Sequence, residues 1–284
     1  MVSILIADSG STKTDWLLVR ADGSVISELG SQGINPFFQD ERTIASLMEK
    51  EVFPQVAREP DAVFFYGAGC ASPEAGAPVA ETLQRRFPSA RISVESDLLG
   101  AARALCGRSP GIACILGTGS NNCLYDGEKI TGNIGSLGFW MGDEGSGGHL
   151  GKQLVVAYLH RELPADLMSA FALKYPEVNR LEILDRAYRK PFPNRYFAGY
   201  ARFAGEHRDS AFIRSLVKGS FGAFLDKYVL KHPGAGEHPV FFVGSVAWHF
   251  KDLLANAVEE KGLKLGTVAG RPMPGLKLFH TSGS

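Results

Sequence analysis

Net charge is the first thing this sequence lacks: Lys and Arg number 30, Asp and Glu number 30, and the formal balance is zero. A surface with no dominant sign has no general attraction for nucleic acid or for an anionic membrane, although a local basic pocket for a nucleotide remains possible. No run of about 18 apolar residues occurs, so no segment reads as a membrane-spanning helix. The apolar start, Met1-Val2-Ser3-Ile4-Leu5-Ile6-Ala7, is short, has no basic stretch before it and is interrupted by Asp8, which argues against a secretory leader. Cysteine is scarce, with only 4 residues (Cys70, Cys106, Cys114 and Cys123) and no C-x-x-C pair. The spacing therefore indicates neither a zinc site nor an iron–sulfur cluster, and buried free thiols in a reducing cytoplasm are expected. The 7 histidines show no H-x-x-x-H spacing and read as surface or packing residues. No nucleophile elbow of the form G-x-S-x-G fits a strand–turn–helix context.

What is present is an ordinary globular composition, 45% hydrophobic, which excludes a disordered chain. At 284 residues the chain is too long for a comfortable single core and suits two domains. Ile4 to Ala7 reads as a buried strand, followed by a Gly/Ser/Thr turn and a second strand at Trp16 to Val19. Asp22-Gly23 then marks a tight hairpin into Val25 to Leu29. Helices are expected at 44–56, 79–87 and 98–106, with strands at 62–66 and 92–95. From Ile112 the pattern starts again: a strand to Leu116, a turn at Gly117-Thr118-Gly119-Ser120, a short strand at Asn122 to Tyr125, and Asp126-Gly127 as a second hairpin signal. Helices dominate from Gly147 to His232, followed by a strand at 240–243, a helix at 246–261 and a strand at 265–269. An internal repeat of one supersecondary unit implies two similar α/β halves. They divide near Gly107-Arg108-Ser109-Pro110-Gly111, and a ligand cleft is expected between them.

Five short stretches could carry chemistry. Asp8-Ser9-Gly10-Ser11-Thr12-Lys13-Thr14 gathers backbone N–H groups, hydroxyls and an ammonium in one loop, which suits phosphate oxygens. Asp8 would hold Mg²⁺ through water. The stretch is not a Walker loop, because Thr12 stands where glycine should precede the lysine. Read alone it is equally an ordinary hairpin turn. The loop Gly117-Thr118-Gly119-Ser120 occupies the matching place in the second half, and two such loops could clamp a triphosphate. In Glu95-Ser96-Asp97 a carboxylate follows a strand and opens a helix, so Asp97 is either a general base or part of a helix N-cap in which Asp97 or Ser96 bonds the first free N–H groups. The run Gly142-Asp143-Glu144-Gly145-Ser146-Gly147-Gly148 is part helix-start chemistry; its adjacent carboxylates suit sugar hydroxyls or, in the competing role, a metal. Val243-Gly244-Ser245-Val246 suits either adenine against the backbone or tight strand–helix packing.

Together these motifs resemble the sugar kinase/actin/Hsp70 superfamily, and within it the N-acetylglucosamine kinase-like group related to the BadF/BadG/BcrA/BcrD ATPases. The resemblance covers essentially the whole chain. It is most specific in LGTGSN with GxxMGDEGS downstream, moderate in DSGSTKT and weak in VGSV. It implies two ribonuclease H-like, actin-like ATPase domains with an interdomain cleft, over 1–109 and 110–284, the last ~15 residues returning to the first domain. It implies ATP and Mg²⁺ as cofactors, a small amino sugar such as N-acetylglucosamine or glucosamine as substrate, no nucleic acid or membrane partner, and a cytoplasmic enzyme. Family members often form dimers, and no stretch here marks an interface. Carried over by position, Gly10, Ser11, Thr12, Lys13 and Thr14 match the first phosphate loop, and Gly117, Thr118, Gly119 and Ser120 the second. Asp97 matches the base that takes the proton from the sugar's 6-hydroxyl. Asn35, Asn121 and Asp143 match sugar contacts, and Gly244 and Ser245 the adenosine motif. The cysteine settings of the iron–sulfur dehydratase activators and of zinc-binding ROK kinases are absent. A nucleotide-dependent activator of a partner enzyme is the alternative activity.

Overall fold

The computed structural model describes residues 2–10 and 12–282. It divides into two compact units. The first takes the chain up to Pro110, Tyr125–Ile130 and the stretch from Arg271 onward; the second takes Gly111–Leu124 and Thr131–Gly270.

In the first unit, strands β1 (Ser3–Ser9), β2 (Lys13–Arg20) and β3 (Val25–Gln32) form an antiparallel meander. Helix α1 (Glu41–Glu51) follows, then β4 (Ala62–Gly67), α2 (Pro73–Arg86), β5 (Arg91–Ser96) and α3 (Asp97–Cys106). The sheet order is β3-β2-β1-β4-β5, with β1, β4 and β5 parallel. Successive side chains of a strand point to opposite faces, and both faces of β1 are buried. Leu5 and Ala7 join Trp16, Leu18, Val63 and Phe65 on one side. Ile4 and Ile6 join Leu17, Val19 and Tyr66 on the other. That is why β1 reads as an unbroken apolar run. Helix α2 begins at Pro73, six residues before the expected start at Val79, because Ser72 caps it through the Ala75 N–H and Pro73 occupies the first turn. Pro78 lies inside the helix.

In the second unit, β6 (Gly111–Leu116), β7 (Ser120–Tyr125) and β8 (Ile130–Gly132) precede a helical region: α4 (Gly138–Met141), α5 (Gly147–Leu159), α6 (Ala165–Lys174), α7 (Arg180–Tyr188), α8 (Pro193–Ala198), α9 (Ala201–Glu206) and α10 (Ala211–Lys227). Then come β9 (Pro239–Val243), α11 (Ser245–His249), α12 (Lys251–Glu260) and β10 (Lys264–Ala269). The order β10-β9-β6-β7-β8 repeats the first sheet's topology strand for strand, with β9 and β10 in the places of β4 and β5. The fold is α/β with two sheets of actin-like topology. Within the helical stretch expected from Gly147 to His232 the chain breaks at Gly199-Tyr200 between α8 and α9, and the helix expected over 246–261 turns at the buried Phe250.

The last helix, α13 (Met273–Thr281), has no counterpart in the elements read from the sequence. It covers the second face of the first sheet through the buried Leu276. A Cβ on Gly275 would stand 2.1 Å from the Ala104 carbonyl oxygen, so glycine is what lets α13 lie against α3. No helix among the described residues is long and apolar enough to cross a membrane.

Candidate functional site

In the first unit the candidate residues collect at the carboxyl ends of the three parallel strands, where open α/β sheets bind ligands. Asp8 is the penultimate residue of β1 and lies opposite Asp15 of β2. Directly opposed side chains on one face of a sheet stand roughly 5 Å apart. Burial raises Asp8, and the neighbouring charges of Asp97 and Asp15 raise it further; Lys13 opposes them, and the result is about 7. Asp97, at the end of β5, is raised by burial to about 6, against the pull of the backbone N–H groups of Leu98 and of Asp97 itself. The N-cap of α3 is Ser96, whose Oγ accepts the Leu99 N–H at 3.1 Å. Of the two roles open to Asp97 in the sequence, the cap belongs to its neighbour.

The turn between β1 and β2 is closed by the Gly10 N–H donating to the Lys13 carbonyl at 3.0 Å. Ser11 lies outside the described residues. Gly10, Thr12 and Lys13 are exposed, and the Lys13 ammonium pairs with Asp15 at 2.8 Å. Thr14 is fully buried, with its hydroxyl committed inside the fold. Its Oγ1 donates to the Gln32 carbonyl at 3.1 Å and accepts from Ser9 Oγ at 2.7 Å, or donates to Ser9 instead, since each hydroxyl has one proton. Ser9 Oγ also accepts the Ile34 N–H at 3.0 Å, so Ser9 and Thr14 latch the turn to the segment entering Asn35. Asn35 is buried, and its Oδ1 accepts the Phe37 N–H at 2.9 Å. Its amide NH₂ has no partner among the described residues. A Cβ on Gly69 would lie 2.2 Å from that Oδ1, so the turn after β4 packs directly on Asn35.

In the second unit the loop Gly117–Ser120 is held from beneath by the start of α5. The Gly147 N–H donates to the Gly117 carbonyl at 2.8 Å and the Gly148 N–H to the Thr118 carbonyl at 3.0 Å. Ser146 caps the same helix through the His149 N–H. The loop's carbonyls are thus occupied, while the N–H groups of Thr118 and Gly119 have no partner among the described residues. The Ser120 hydroxyl is buried and unpartnered. Three donors without acceptors thus fall at consecutive positions of a glycine-rich loop, a composition that suits an anion.

Asp143 supports this loop. It is buried with φ +60°, accepts from Ser136 Oγ at 2.6 Å and from the Ser120 N–H at 3.4 Å, and has Oδ2 3.1 Å from where a Cβ on Gly119 would stand. Glu144 is consumed by structure. Burial favours its neutral form, but hydrogen bonds from Lys227 and Tyr228 outweigh that and hold it below the ordinary glutamate range. Asn121 Oδ1 accepts from the Asn122 N–H at 2.9 Å and from Asn133 Nδ2 at 3.1 Å, and its own NH₂ has no partner among the described residues. Gly244 has φ +124°, and a Cβ there would lie 2.4 Å from the Leu116 carbonyl oxygen, so β9 and β6 end in close approach beside the loop.

Gly117, Thr118 and Ser245 share a pocket of about 520 Å³ with Arg202, Arg208 and His249. Sequence reading missed these last three; nothing but the packing of α9 and α11 beside the loop identifies them. Arg208 is tied to Asp252 at 2.5 Å. Arg202 has no acidic partner among the described residues. Among the described residues no group of three or more His, Cys, Asp or Glu is arranged to hold a metal by itself.

No protein-family model matches the chain. Among solved structures it is similar over its whole length to a protein from Porphyromonas gingivalis named as a "putative N-acetylglucosamine kinase", with 42% identity, a TM-score of 0.93 and coverage of 100% of this chain and 99% of that one. A protein of the same name from Chromobacterium violaceum matches with 20% identity, a TM-score of 0.76 and 99% of each chain. A ROK-family glucokinase from Streptomyces griseus, solved with glucose and AMPPNP, matches with 14% identity, a TM-score of 0.53 and coverage of 99% of this chain and 97% of that one. The latter two are likenesses of fold.

Proposed function

The chain belongs to the N-acetylglucosamine kinase-like family of actin-like sugar kinases, and on that premise we propose that it transfers the γ-phosphoryl group of MgATP to a hydroxyl of a small amino sugar of the N-acetylglucosamine or glucosamine type. The observation that carries the reading is the pocket lined by Gly117, Thr118 and Ser245, on a loop where the N–H groups of Thr118 and Gly119 have no partner among the described residues and the buried Ser120 hydroxyl has none either. A buried donor without a partner costs about 1–3 kcal/mol, and phosphate oxygens would remove that cost.

In this reading Thr118, Gly119 and Ser120 hold phosphate oxygens, and the Gly244–Ser245 turn takes the adenosine. Gly10, Thr12 and Lys13 serve the terminal phosphate. Asn35 and Asn121 offer free amide donors to the sugar, and Asp143 keeps its loop in shape. Asp97 accepts the proton of the attacking hydroxyl as that oxygen bonds to the γ-phosphorus and the bond to ADP breaks. The donor set fits a magnesium ion delivered with the nucleotide. Asp8 is raised first by burial and then by the charges of Asp97 and Asp15, and a cation held through water by this one carboxylate would favour its ionised form. The ion would neutralise charge on the β- and γ-phosphates.

ADP release measured against a panel of N-acetylglucosamine, glucosamine and N-acetylmuramate tests the reading. Strong dependence on one amino sugar is expected, and background release with all three would overturn it.

A further inference from the structure

A second cavity, of about 480 Å³, lies within the first unit at the opposite end of α3 from Asp97. Helix α3 begins at Asp97, and Arg103 stands in its last turn, roughly 9 Å along the axis. The cavity is lined by Arg91 at the start of β5, Arg103, Arg108, and Phe279 and His280 of α13. None of the three guanidiniums has a carboxylate partner among the described residues, and the one acidic residue lining the cavity, Glu128, is exposed. Arg103 Nη1 donates to the Tyr66 hydroxyl at 2.9 Å, and the guanidinium also serves the Tyr125 hydroxyl. Its Nε is buried and unpartnered.

Tyr66 Oη also lies 2.9 Å from His280 Nε2. That contact ties the imidazole to Tyr66, with either atom as donor according to the tautomer. Apart from the exposed Glu128, the charged side chains that line the cavity are all guanidiniums. Apolar surface completes it, with Arg108 5.0 Å and Arg103 5.3 Å from the Phe279 ring centroid and Phe64 stacked on His280 at 3.9 Å.

Arg91 and Arg108 are exposed and Arg103 is half-buried, so three like charges with no paired carboxylate among the described residues give the cavity a field that favours an anion, and guanidinium forks match oxyanions. The volume exceeds what orthophosphate alone would fill and falls in the range of small-molecule pockets, roughly 300–1,000 Å³. We propose that this cavity binds a phosphate monoester of a small molecule, the oxyanion among Arg91, Arg103 and Arg108 and the carbon skeleton against Phe279. This site is independent of the kinase reading.

The test titrates the intact protein, saturated with a non-hydrolysable ATP analogue to occupy the nucleotide site, with glucose 6-phosphate and separately with orthophosphate. Binding is followed by calorimetry and by the His280 imidazole resonance, assigned from its loss in His280→Gln. The imidazole is held at about 4 by burial and by Arg103, Arg108 and Arg91, with Tyr66 as its hydrogen-bond partner. A bound dianion would raise that value and move the resonance. Saturable binding of the ester, tighter than orthophosphate, with the His280 shift and a loss of tenfold or more in the exposed-residue double variant Arg91→Gln/Arg108→Gln is expected. Absence of saturable binding, equal affinity for orthophosphate, an unmoved imidazole, or undiminished affinity in a folded double variant would each overturn the proposal.

Discussion

Ser96 and Asp97 divide two tasks between adjacent positions. Ser96 Oγ accepts the Leu99 N–H at 3.1 Å and caps α3, while the Asp97 carboxylate, one residue on, sits at the strand end with its proton affinity raised by burial. The division can be tested by separating the two side chains. Asp97→Asn should lower kcat by about 10²–10⁴-fold with nucleotide affinity retained. Ser96→Ala should destabilise the fold by about 1 kcal/mol and leave most of the turnover. Steady-state ADP release and chemical denaturation of both variants measure the contrast. Full activity in Asp97→Asn would remove the general-base assignment.

The raised carboxyls give activity and stability opposite dependences on pH. Asp97 must be ionised to accept a proton, so kcat should fall as pH drops through about 6. For stability the sign runs the other way. A carboxyl whose folded value exceeds its unfolded one binds more protons in the native state, so stability declines as pH rises from about 4 toward the folded value. For Asp8 that window ends near 7. Asp8→Asn should therefore compare more favourably with the unsubstituted protein at pH 8 than at pH 4. Denaturation midpoints at the two pH values check it, and an unchanged difference would count against the shift.

The orphaned hydroxyl of Ser120 makes an unusual forecast for a conservative change. Ser120→Ala removes a buried group without a partner, so the ligand-free protein should be as stable or up to about 1 kcal/mol more stable. Affinity for MgATP should fall by about three- to tenfold, because a phosphate loses a donor. Thermal midpoints with and without nucleotide separate the two effects. Destabilisation of the ligand-free protein would mean that the hydroxyl already serves the fold.

Gly244→Ala should be far more damaging than its single methyl suggests. The new Cβ would meet the Leu116 carbonyl oxygen at 2.4 Å, in a backbone conformation that favours glycine. A cost of about 1–3 kcal/mol from strain alone is expected. The displaced β6 end would carry Gly117 out of place and weaken nucleotide binding. A thermal shift within error of the unsubstituted protein would sink this account.

Thr14 shows how far the sequence could have been read. Period two places Thr14 on the same face of β2 as Trp16 and Leu18, both core residues, so its burial was legible beside its hydroxyl. The hydroxyl drew it into the phosphate loop because residue type speaks of chemistry and only parity speaks of direction. The same parity sets Asp8 on the face of Ile4 and Ile6, across from Asp15, and so explains the crowding that no motif displays. Gly147 and Gly148 were legible as a helix start, but their service to the carbonyls of Gly117 and Thr118 joins segments about thirty residues apart, and spacing carries no sign of it.

By itself the sequence determined the repeated hairpin unit, the two glycine-rich turns, the strand-end carboxylate and the family resemblance, because hydrophobic period and turn chemistry act over a few residues. Tertiary structure alone decided which hydroxyls remain free, which neighbour caps α3, and that Arg202, Arg208 and His249 wall the pocket beside Gly117. It also decided that the returning C-terminal stretch is the helix α13, which brings His280 to Arg91, Arg103 and Arg108. These outcomes depend on side chains that meet only after distant segments have packed, and electrostatic environment is a property of that packing.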